Sequence, residues 1–424
     1  MIRFATLGIL LLPGAMLLGR FAVAGDPWPR FLVLFGATSI LYALALREWS
    51  RLPTAMQTRP AITAFVLAIA ALGRVGLLPM GASDDVNRYL WEGRFQNLGG
   101  NPYHTSPAQV LGRDWTAPEP IGDDPFLSAV NHPELTTIYP PGAELLFRAV
   151  TAAAYRASLW KGLTLAADAL LVLVLVLLLR RRGEPPGAVL RYAWHPLPWI
   201  CFAGEGHLDV WMLVPLWLAF LWTEGRRRPA AGLAFGASIA LKLVSGMYLP
   251  VFFRRLGVVP VLVAGAVVAL CAWPFRNAGW GLVRVLGHFG WTMGHNASLH
   301  AWLAAATGPQ SARIVVAIVF ALVMAWVLRR NPPLLDGGLV LTGAFLLLTP
   351  TLHPWYATWI IPFLVFRPGR PWIALSLLVG VAYAAYGLRA TTGVFHLTRW
   401  MRGVEWAPVY LWLVVDGVRS RRAR

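Results

Sequence analysis

The amino-acid sequence predicts an all-α polytopic membrane protein. Of its 424 residues, 57% are hydrophobic and only 13% are charged, whereas soluble domains carry about 25% charged residues. Apolar runs separated by short arginine clusters recur along the whole chain. The mean hydropathy of +0.58 excludes an ordinary soluble enzyme, and the 21 Trp, 20 Phe and 11 Tyr exclude a disordered chain. We predict a single membrane domain over residues 1–424, with about 12–14 transmembrane helices and no soluble domain.

The net charge of +18 comes from 37 Lys and Arg against 19 Asp and Glu. In a soluble protein that excess would indicate nucleic-acid binding. Here the basic residues cluster at the ends of apolar runs, which is the positive-inside pattern of cytoplasmic loops. We therefore expect membrane lipids, and no nucleic acid, as partners. Cys201 and Cys271 both lie inside apolar runs, so neither a disulfide framework nor a cysteine metal cluster is expected.

The apolar runs predict the helices in order. The first run, 5–24, reads as a membrane helix that serves as an uncleaved signal. The run 230–253 is too short for two full crossings and has Lys242 near its middle, so we predict two short helices that turn near Lys242. The other predicted helices cover 31–46, 61–80, 162–179, 188–203, 208–222, 256–275, 311–328, 334–350, 354–366, 370–388 and 405–418.

The longest polar stretch is 81–141. It holds eight of the 19 acidic residues and only three arginines, so it cannot cross the membrane, and its acidity fits the non-cytoplasmic side. Three crossings before it lead to that same side when the chain starts inside. The apolar stretch 141–156 that follows is interrupted by Arg148. Because the later basic clusters must lie inside, we predict that this stretch does not cross and forms a juxtamembrane helix.

Two adjacent carboxylates, Asp84 and Asp85, begin the polar stretch directly after a membrane helix. A helix that starts here carries four polar side chains on one face: Asp85, Arg88, Tyr89 and Glu92. Adjacent carboxylates repel each other, which tends to raise the pKa of one of them and suits a general base. The alternative is structural: Asp84 caps the helix, and the positive end of the helix favours Asp85.

Ionisable residues also stand near three other predicted helix ends or breaks. The turn Gly204-Glu205-Gly206-His207-Leu208-Asp209 is either part of a site or a solvated turn, because ionisable groups at a membrane turn are costly unless used or solvated. Lys242 needs an anionic partner or must lose its proton, unless it snorkels to the interface. The run His353-Pro354-Trp355-Tyr356 fits either a site or an aromatic anchor at the membrane surface.

Five short blocks follow one another along nearly the whole chain. They are Ser83-Asp84-Asp85-Val86-Asn87-Arg88-Tyr89 with Asn101-Pro102-Tyr103, Tyr139-Pro140-Pro141, Gly204-Glu205-Gly206-His207-Leu208-Asp209, Leu241-Lys242, and Pro350-Thr351-Leu352-His353-Pro354-Trp355-Tyr356. In this order they resemble the GT-C superfamily of integral-membrane glycosyltransferases, and most closely the bacterial polyprenol-phosphate-mannose-dependent mannosyltransferases. The resemblance implies a GT-C-like helical bundle whose outer loop carries juxtamembrane helices.

The resemblance also implies an activity and a set of site residues. The activity would be inverting transfer of a hexose, with mannose expected, from a polyprenyl-phosphate carrier to a lipid, glycan or protein acceptor. The catalytic acid of the family falls on Asp84 or Asp85. The residues expected to bind the donor phosphate are Lys242, His353, Arg88 and Arg94. The residues expected to bind substrate are Tyr89, Glu92, Tyr139, Glu205, His207, Asp209, Trp355 and Tyr356.

We expect a bacterial inner-membrane protein whose active site faces the periplasm or exterior. No cofactor is expected, and a divalent metal, which the carboxylate pair could bind weakly, is not required. Two other classes of function stay open. A transporter or flippase of lipid-linked sugars would use the same charges without forming a bond, and a membrane scaffold would be non-catalytic. Many transporters contain repeated halves, and this sequence shows no such repeat.

Overall fold

The structure, a computed structural model, describes residues 1–21, 28–112 and 123–422. The end of the predicted helix 5–24 lies outside the described residues, as do Asp114 and Glu119 of the acidic stretch. Within these ranges the chain contains no strand, and one isolated parallel bridge joins His295 to Thr351. The predicted all-α polytopic membrane class is confirmed.

Helices form in the predicted apolar runs, but the predicted helices 188–203, 354–366 and 370–388 are each broken into shorter segments. In chain order the α-helices are α1 (Ile2–Leu18), α2 (Trp28–Arg51), α3 (Thr54–Gln57), α4 (Pro60–Leu77), α5 (Asp85–Asn97), α6 (Pro107–Leu111), α7 (Pro125–Ser128), α8 (Pro141–Ala153), α9 (Ala157–Arg181), α10 (Leu190–Ala193), α11 (Pro196–Pro198), α12 (Asp209–Glu224), α13 (Arg228–Leu241), α14 (Leu249–Leu256), α15 (Val258–Ala272), α16 (Gly281–Thr292), α17 (Leu299–Thr307), α18 (Pro309–Arg330), α19 (Leu334–Leu348), α20 (Ile361–Phe366), α21 (Arg370–Leu378), α22 (Ala384–Thr392) and α23 (Arg399–Arg422). Short 3-10 segments cover Pro186–Val189, Leu243–Tyr248, Trp273–Ala278, Pro354–Trp359 and Val379–Tyr383, and a π-helical turn covers Trp199–Gly204.

Proline and glycine set several of these boundaries. Helices α4, α8 and α18 begin at Pro60, Pro141 and Pro309. Proline is favoured at the first helical position, because its missing N–H would have no partner within the helix there. Helix α18 starts after Gly308, whose φ is +84°, and ends at Asn331 in the left-handed region with φ +47°. Such a left-handed residue is a common helix stop.

Within the described residues, six helical segments are long and apolar enough to cross a membrane, or seven if one bent pair counts as a span. The six are Trp28–Arg51, Pro60–Leu77, Ala157–Arg181, Val258–Ala278, Pro309–Arg330 and Arg370–Arg389, and the bent pair is Pro196–Gly204 with Asp209–Glu224. This number is lower than the predicted total of about 12–14. The difference arises because other apolar runs form shorter helices, such as Ile2–Leu18 and Leu334–Leu348.

The predicted turn at Lys242 is confirmed. Helix α13 ends at Leu241, Lys242 itself is extended with φ −155° and ψ 114°, and a 3-10 segment then leads into α14. The single apolar run 230–253 is therefore two short helices. The break turns a lysine that would lie in mid-helix into a residue between two helices.

The chain divides into two compact units. The first unit comprises Met1–Gly81, Ala169–Glu205 and Gly294–Arg424, and the second unit comprises Ala82–Asp168 and Gly206–Met293. The prediction of one membrane domain over residues 1–424 is not tested by this division. Most of the predicted site residues belong to the second unit.

In the first unit, α1 packs against α2 and α4. The approach of α1 to α4 requires glycine, because a Cβ on Gly19 would lie 2.1 Å from the carbonyl oxygen of Gly76. Helix α4 also buries Arg74, whose Nη1 donates to the carbonyl oxygens of Ala70 at 3.1 Å and Ala193 at 2.7 Å. These carbonyl partners satisfy part of a buried charge that would otherwise be costly.

In the second unit, α5 packs against α8, and α13 packs against both α12 and α15. Glycines permit these close approaches. A Cβ on Gly93 of α5 would lie 2.3 Å from the carbonyl oxygen of Phe147, and a Cβ on Gly142 of α8 would lie 2.6 Å from that of Ala240. Small residues of this kind let helix backbones come close together in membrane proteins. The start of α5, which carries the acid pair, is therefore held on a tightly packed helix.

Candidate functional site

The acid pair lies at the first turn of α5. Asp84 occupies the N-cap position, but its side chain makes no capping hydrogen bond. Ser83 takes that part: its Oγ accepts from the Asp85 N–H at 3.3 Å, and its hydroxyl donates to Asp84 Oδ1 at 3.3 Å. The capping alternative thus fails for the Asp84 side chain, whose carboxylate has other partners.

An amide bridges the two carboxylates. Asn131 Nδ2 lies 3.2 Å from Asp84 Oδ2 and 3.3 Å from Asp85 Oδ1, so it donates to both. Burial raises the pKa of Asp84, and the adjacent charge of Asp85 raises it further, while hydrogen bonds from Asn131 and Ser83 and the charge of His207 oppose the rise. The pair therefore binds a proton more readily than an isolated aspartate does, as two interacting carboxylates should.

His207 lies beside this pair. Its ring is fully buried, and its Nδ1 is 3.6 Å from Asp85 Oδ2. The preceding Gly206 has φ +80°, a conformation that glycine adopts without strain. Trp160 Nε1 donates to the Gly206 carbonyl oxygen at 2.7 Å. This turn holds the imidazole next to the carboxylates, although His207 follows Asp85 by more than a hundred residues.

The Lys242 ammonium forms an ion pair with Asp209. The Nζ lies 2.7 Å from Asp209 Oδ1, the Asp209 side chain is 1% exposed, and the Lys242 side chain is 20% exposed. The pair joins the first turn of α12 to the break after α13. The anionic partner that the sequence required for Lys242 is therefore Asp209.

Tyr89 connects the acid pair with the ion pair. Burial raises the pKa of the Tyr89 phenol, and Tyr139 and the charges of Asp85 and Asp209 raise it further. Its ring stacks on Phe147 with centroids 4.8 Å apart and meets the edge of Tyr139 at 5.2 Å. The second unit thus brings together seven of the predicted site residues: Asp84, Asp85, Tyr89, Tyr139, His207, Asp209 and Lys242.

Arg88 and Glu92 are engaged with internal partners. Arg88 Nη1 lies 2.9 Å from Glu92 Oε1, and both side chains are almost fully buried. Arg88 Nη2 donates to the carbonyl oxygens of Asn131 at 2.7 Å and His132 at 2.8 Å, and Nη1 also reaches the carbonyl of Leu135 at 3.3 Å. The guanidinium therefore donates to four acceptors within the protein, and its predicted role in binding phosphate stays a prediction.

Arg94 also has a protein partner. Its Nη1 lies 2.9 Å from Asp124 Oδ2, and its guanidinium lies over the ring of Tyr155 at 4.8 Å from the centroid. Tyr155 donates its hydroxyl to both oxygens of Asp124. Arg94 remains 35% exposed, so of the two arginines predicted to bind phosphate it is the more accessible.

The remaining predicted residues belong to the first unit. His353 stacks on Trp355 with ring centroids 4.4 Å apart and planes inclined by 3°, and its ring meets that of Tyr356 at 82°. Glu205 is buried and accepts a hydrogen bond of 2.6 Å from the Tyr383 hydroxyl. Their predicted roles in binding phosphate and substrate stay predictions.

Sequence reasoning missed three polar residues of the second unit. Asn131 bridges the acid pair. Thr137 Oγ1 lies 2.6 Å from Glu144 Oε1, and both side chains belong to a buried polar network. Glu144 has one usable signal, since it stands as a carboxylate near the start of an otherwise apolar segment. Asn131 and Thr137 lie in irregular chain, where sequence alone does not show which side chains point inward.

The described part of the chain contains no group of three or more His, Cys, Asp or Glu side chains arranged to hold a metal ion. A comparison with known protein families, with curated proteins and with solved structures finds no match to this chain. The interpretation of the site therefore depends on its own chemistry and on the resemblance of the five sequence blocks.

Proposed function

We propose that the chain is a glycosyltransferase that moves a hexose, mannose by preference, from a polyprenyl-phosphate carrier to an extracytoplasmic acceptor. The observation that supports this most is the acid pair. Asp84 and Asp85 share the Asn131 amide, and burial together with the Asp85 charge raises the pKa of Asp84. A general base works best when its pKa lies near the operating pH, and this arrangement moves a carboxyl in that direction.

The acid pair would accept the proton of the acceptor hydroxyl. The acceptor oxygen then attacks the anomeric carbon of the donor, a new C–O bond forms, and the bond from that carbon to the phosphate oxygen breaks. The electron pair of the broken bond leaves with the polyprenyl phosphate. Attack opposite the leaving group inverts the anomeric centre, so a β-linked donor gives an α-linked product.

Lys242 is the cation that we assign to the departing phosphate. Its ammonium is held by Asp209, and Tyr89 lies within the influence of both Asp209 and Asp85. A preorganised cation stabilises charge that develops on a leaving group. The acidity of the stretch 81–141 and the positive-inside pattern support our proposal that this chemistry takes place on the periplasmic or outer side of a bacterial inner membrane.

The test is transfer by the purified chain in proteoliposomes. A radiolabelled polyprenyl phosphomannose serves as donor, and a membrane extract supplies the acceptor. We expect Asp84→Asn and Asp85→Asn each to lower release of polyprenyl phosphate by about 10²-fold or more, which is the usual contribution of a general base. Asp336→Asn is the matched control, because Asp336 is an ion-paired carboxylate in the first unit, 2.6 Å from Arg367 Nε.

Two results would contradict the proposal. Full activity of both variants would remove the acid pair from the reaction. Movement of the intact donor across the vesicle bilayer without loss of its sugar would identify a flippase instead. Donor binding gives a separate test of the cation: Lys242→Ala should weaken binding of polyprenyl phosphate, and an unchanged affinity would exclude Lys242 from the phosphate site.

A further inference from the structure

A chain of five buried polar side chains lies beneath the acid pair in the second unit. We call it the carboxyl network, and its members are Arg88, Glu92, Thr137, Glu144 and Gln96. Glu92 is 2% exposed and Glu144 is fully buried. Thr137 Oγ1 lies 2.9 Å from Glu92 Oε2 and 2.6 Å from Glu144 Oε1. Gln96 Nε2 donates to Glu144 Oε2 at 2.7 Å.

The protons of the carboxyl network can be counted. Thr137 has one hydroxyl proton, so it can donate to only one of its two carboxyl neighbours. Its oxygen also accepts from the Tyr139 N–H at 3.0 Å. The other carboxyl oxygen would then lie 2.6 or 2.9 Å from the Thr137 oxygen with no proton between the two atoms. This contact is favourable only if that carboxyl carries a proton and donates it to Thr137. The short distances therefore require one protonated glutamate.

The surroundings decide which glutamate holds that proton. Glu92 forms an ion pair with Arg88, with Glu92 Oε1 2.9 Å from Arg88 Nη1. Glu144 instead faces a neutral amide. Burial raises the pKa of Glu144 well above its usual range, and the charge of Glu92 and a hydrogen bond with Glu92 raise it further, whereas the hydrogen bond with Thr137 and the charge of Arg88 oppose the rise. The proton therefore belongs on Glu144, which donates it to Thr137, while Thr137 donates to Glu92.

The groups that face Glu144 come from several elements. Helix α5 contributes Glu92 and Arg88, and the segment after α5 contributes Tyr103, whose phenol pKa is raised by burial and by the neighbouring carboxyl groups of Glu144 and Glu92. Helices α13 and α15 also pack against α8. By sequence, α13 carries Arg228 at its first position as its one charged residue, and α15 carries Cys271 as its one titratable group.

The carboxyl network is connected to the acid pair through Arg88. The guanidinium, fixed on one side by Glu92, donates on the other side to the carbonyl oxygens of Asn131 and His132. The side chain of the same Asn131 donates to Asp84 and to Asp85. A displacement of Glu92 would therefore move the loop that carries the bridging amide.

We propose that Glu144 is a protonated positioning residue, and that its proton keeps Glu92, Arg88 and the Asn131 loop in the arrangement that holds the acid pair. Its effect on catalysis depends on the proposed function, but the protonation itself does not. Loss of the Glu144 proton would put two buried carboxylates on either side of one hydroxyl. The network would then open, and Asn131 would lose its fixed place.

The test is a comparison of two isosteric variants. Glu144→Gln replaces the carboxylic acid by an amide that can donate to Thr137 and accept from Gln96, so we expect near-wild-type thermal stability at neutral pH. Glu92→Gln leaves the buried Arg88 without its anion, so we expect a marked loss of thermal stability at the same pH. A stability loss in Glu144→Gln equal to or larger than that in Glu92→Gln would overturn the proposal.

Infrared difference spectroscopy on the full-length chain reads the proton directly. The wild type should show a protonated carboxyl band at neutral pH that is absent from Glu144→Gln, and an unchanged band pattern would overturn the proposal. Sugar transfer gives a third measurement: Glu144→Gln should remain active where the wild type loses activity at alkaline pH. If the wild type transfers no sugar, the proposed function fails, while stability and infrared spectra still decide whether Glu144 is protonated.

Discussion

The contact between α5 and α8 gives a prediction whose sign can be derived from the structure. Gly93 lies in the middle of α5, and a Cβ there would sit 2.3 Å from the Phe147 carbonyl oxygen, 2.5 Å from its carbonyl carbon and 2.7 Å from Thr151 Oγ1. Two of these three atoms are backbone, so no side-chain rotation relieves the overlap. Gly93→Ala therefore requires α8 to move away from α5 by roughly 1 Å to restore normal contact.

Two opposing effects set the magnitude. Overpacking of this kind costs about 1–3 kcal/mol, while alanine in place of glycine within a helix stabilises by about 0.5–1 kcal/mol. We expect a net loss of about 1–2 kcal/mol in the free energy of unfolding. The same movement separates Gln96 and Glu92 on α5 from Glu144 on α8, so sugar transfer should fall together with stability.

The matched control is Gly162→Ala. Gly162 also lies in a helix of the second unit, and a Cβ there would meet nothing within 4 Å. The free energy of unfolding of Gly162→Ala should therefore rise by about 0.5–1 kcal/mol. The assay is reversible unfolding of both variants in detergent. Equal stability of the two variants would refute the close approach of α5 and α8, because only the overlap at Gly93 separates them.

Three further predictions concern the site. Asp209→Asn and Lys242→Met should couple by about 0.5–3 kcal/mol in a double-mutant cycle of unfolding. We expect this because the two side chains form an ion pair in which Asp209 is only 1% exposed. A coupling near zero would show that the pair contributes no stability. Trp160→Phe removes the donor to the Gly206 carbonyl and should cost about 1–3 kcal/mol, with wild-type stability as the contradicting result. Burial and the Asp85 charge raise the pKa of Asp84, so this carboxyl contributes stability that is full below about pH 4 and is lost as the pH rises through the folded-state pKa. Unfolding measured against pH should therefore show a smaller decline for Asp84→Asn than for the wild type, and parallel curves would contradict the assignment.

The architecture was predictable because bilayer-length apolar runs are a strong and local signal. The break of the run 230–253 is an example: its length and its central lysine predicted two short helices, and the extended backbone of Lys242 confirms them. The number of spans was less predictable. Hydropathy counts apolar residues, whereas the length of a helix also depends on prolines and tight turns, such as those around His195 and His353.

The site could be predicted where its residues carry charge at positions that membrane proteins usually leave uncharged. Ionisable groups near lipid are costly unless they are paired or functional. That cost made three features predictable: the pair Asp84 and Asp85, the Gly206-His207 turn, and Lys242. Asn131 and Thr137 gave no such signal. They are ordinary polar residues of an irregular segment, and only the fold shows that this segment lies between α5 and α8.

The acid pair and the carboxyl network differ in solvent exposure, which decides whether a proton can take part in chemistry. Asp84 and Asp85 stand at the start of α5, where the helix end favours negative charge, and the Asp85 side chain is 20% exposed, so a hydroxyl can reach it. Glu92 lies further along α5 and Glu144 lies on α8; both side chains are sealed from solvent, and Glu92 forms an ion pair with Arg88. The acid pair at the start of α5 thus forms a proton site that can exchange with solvent, whereas the proton that we propose on Glu144 of α8 fixes the geometry of that pair.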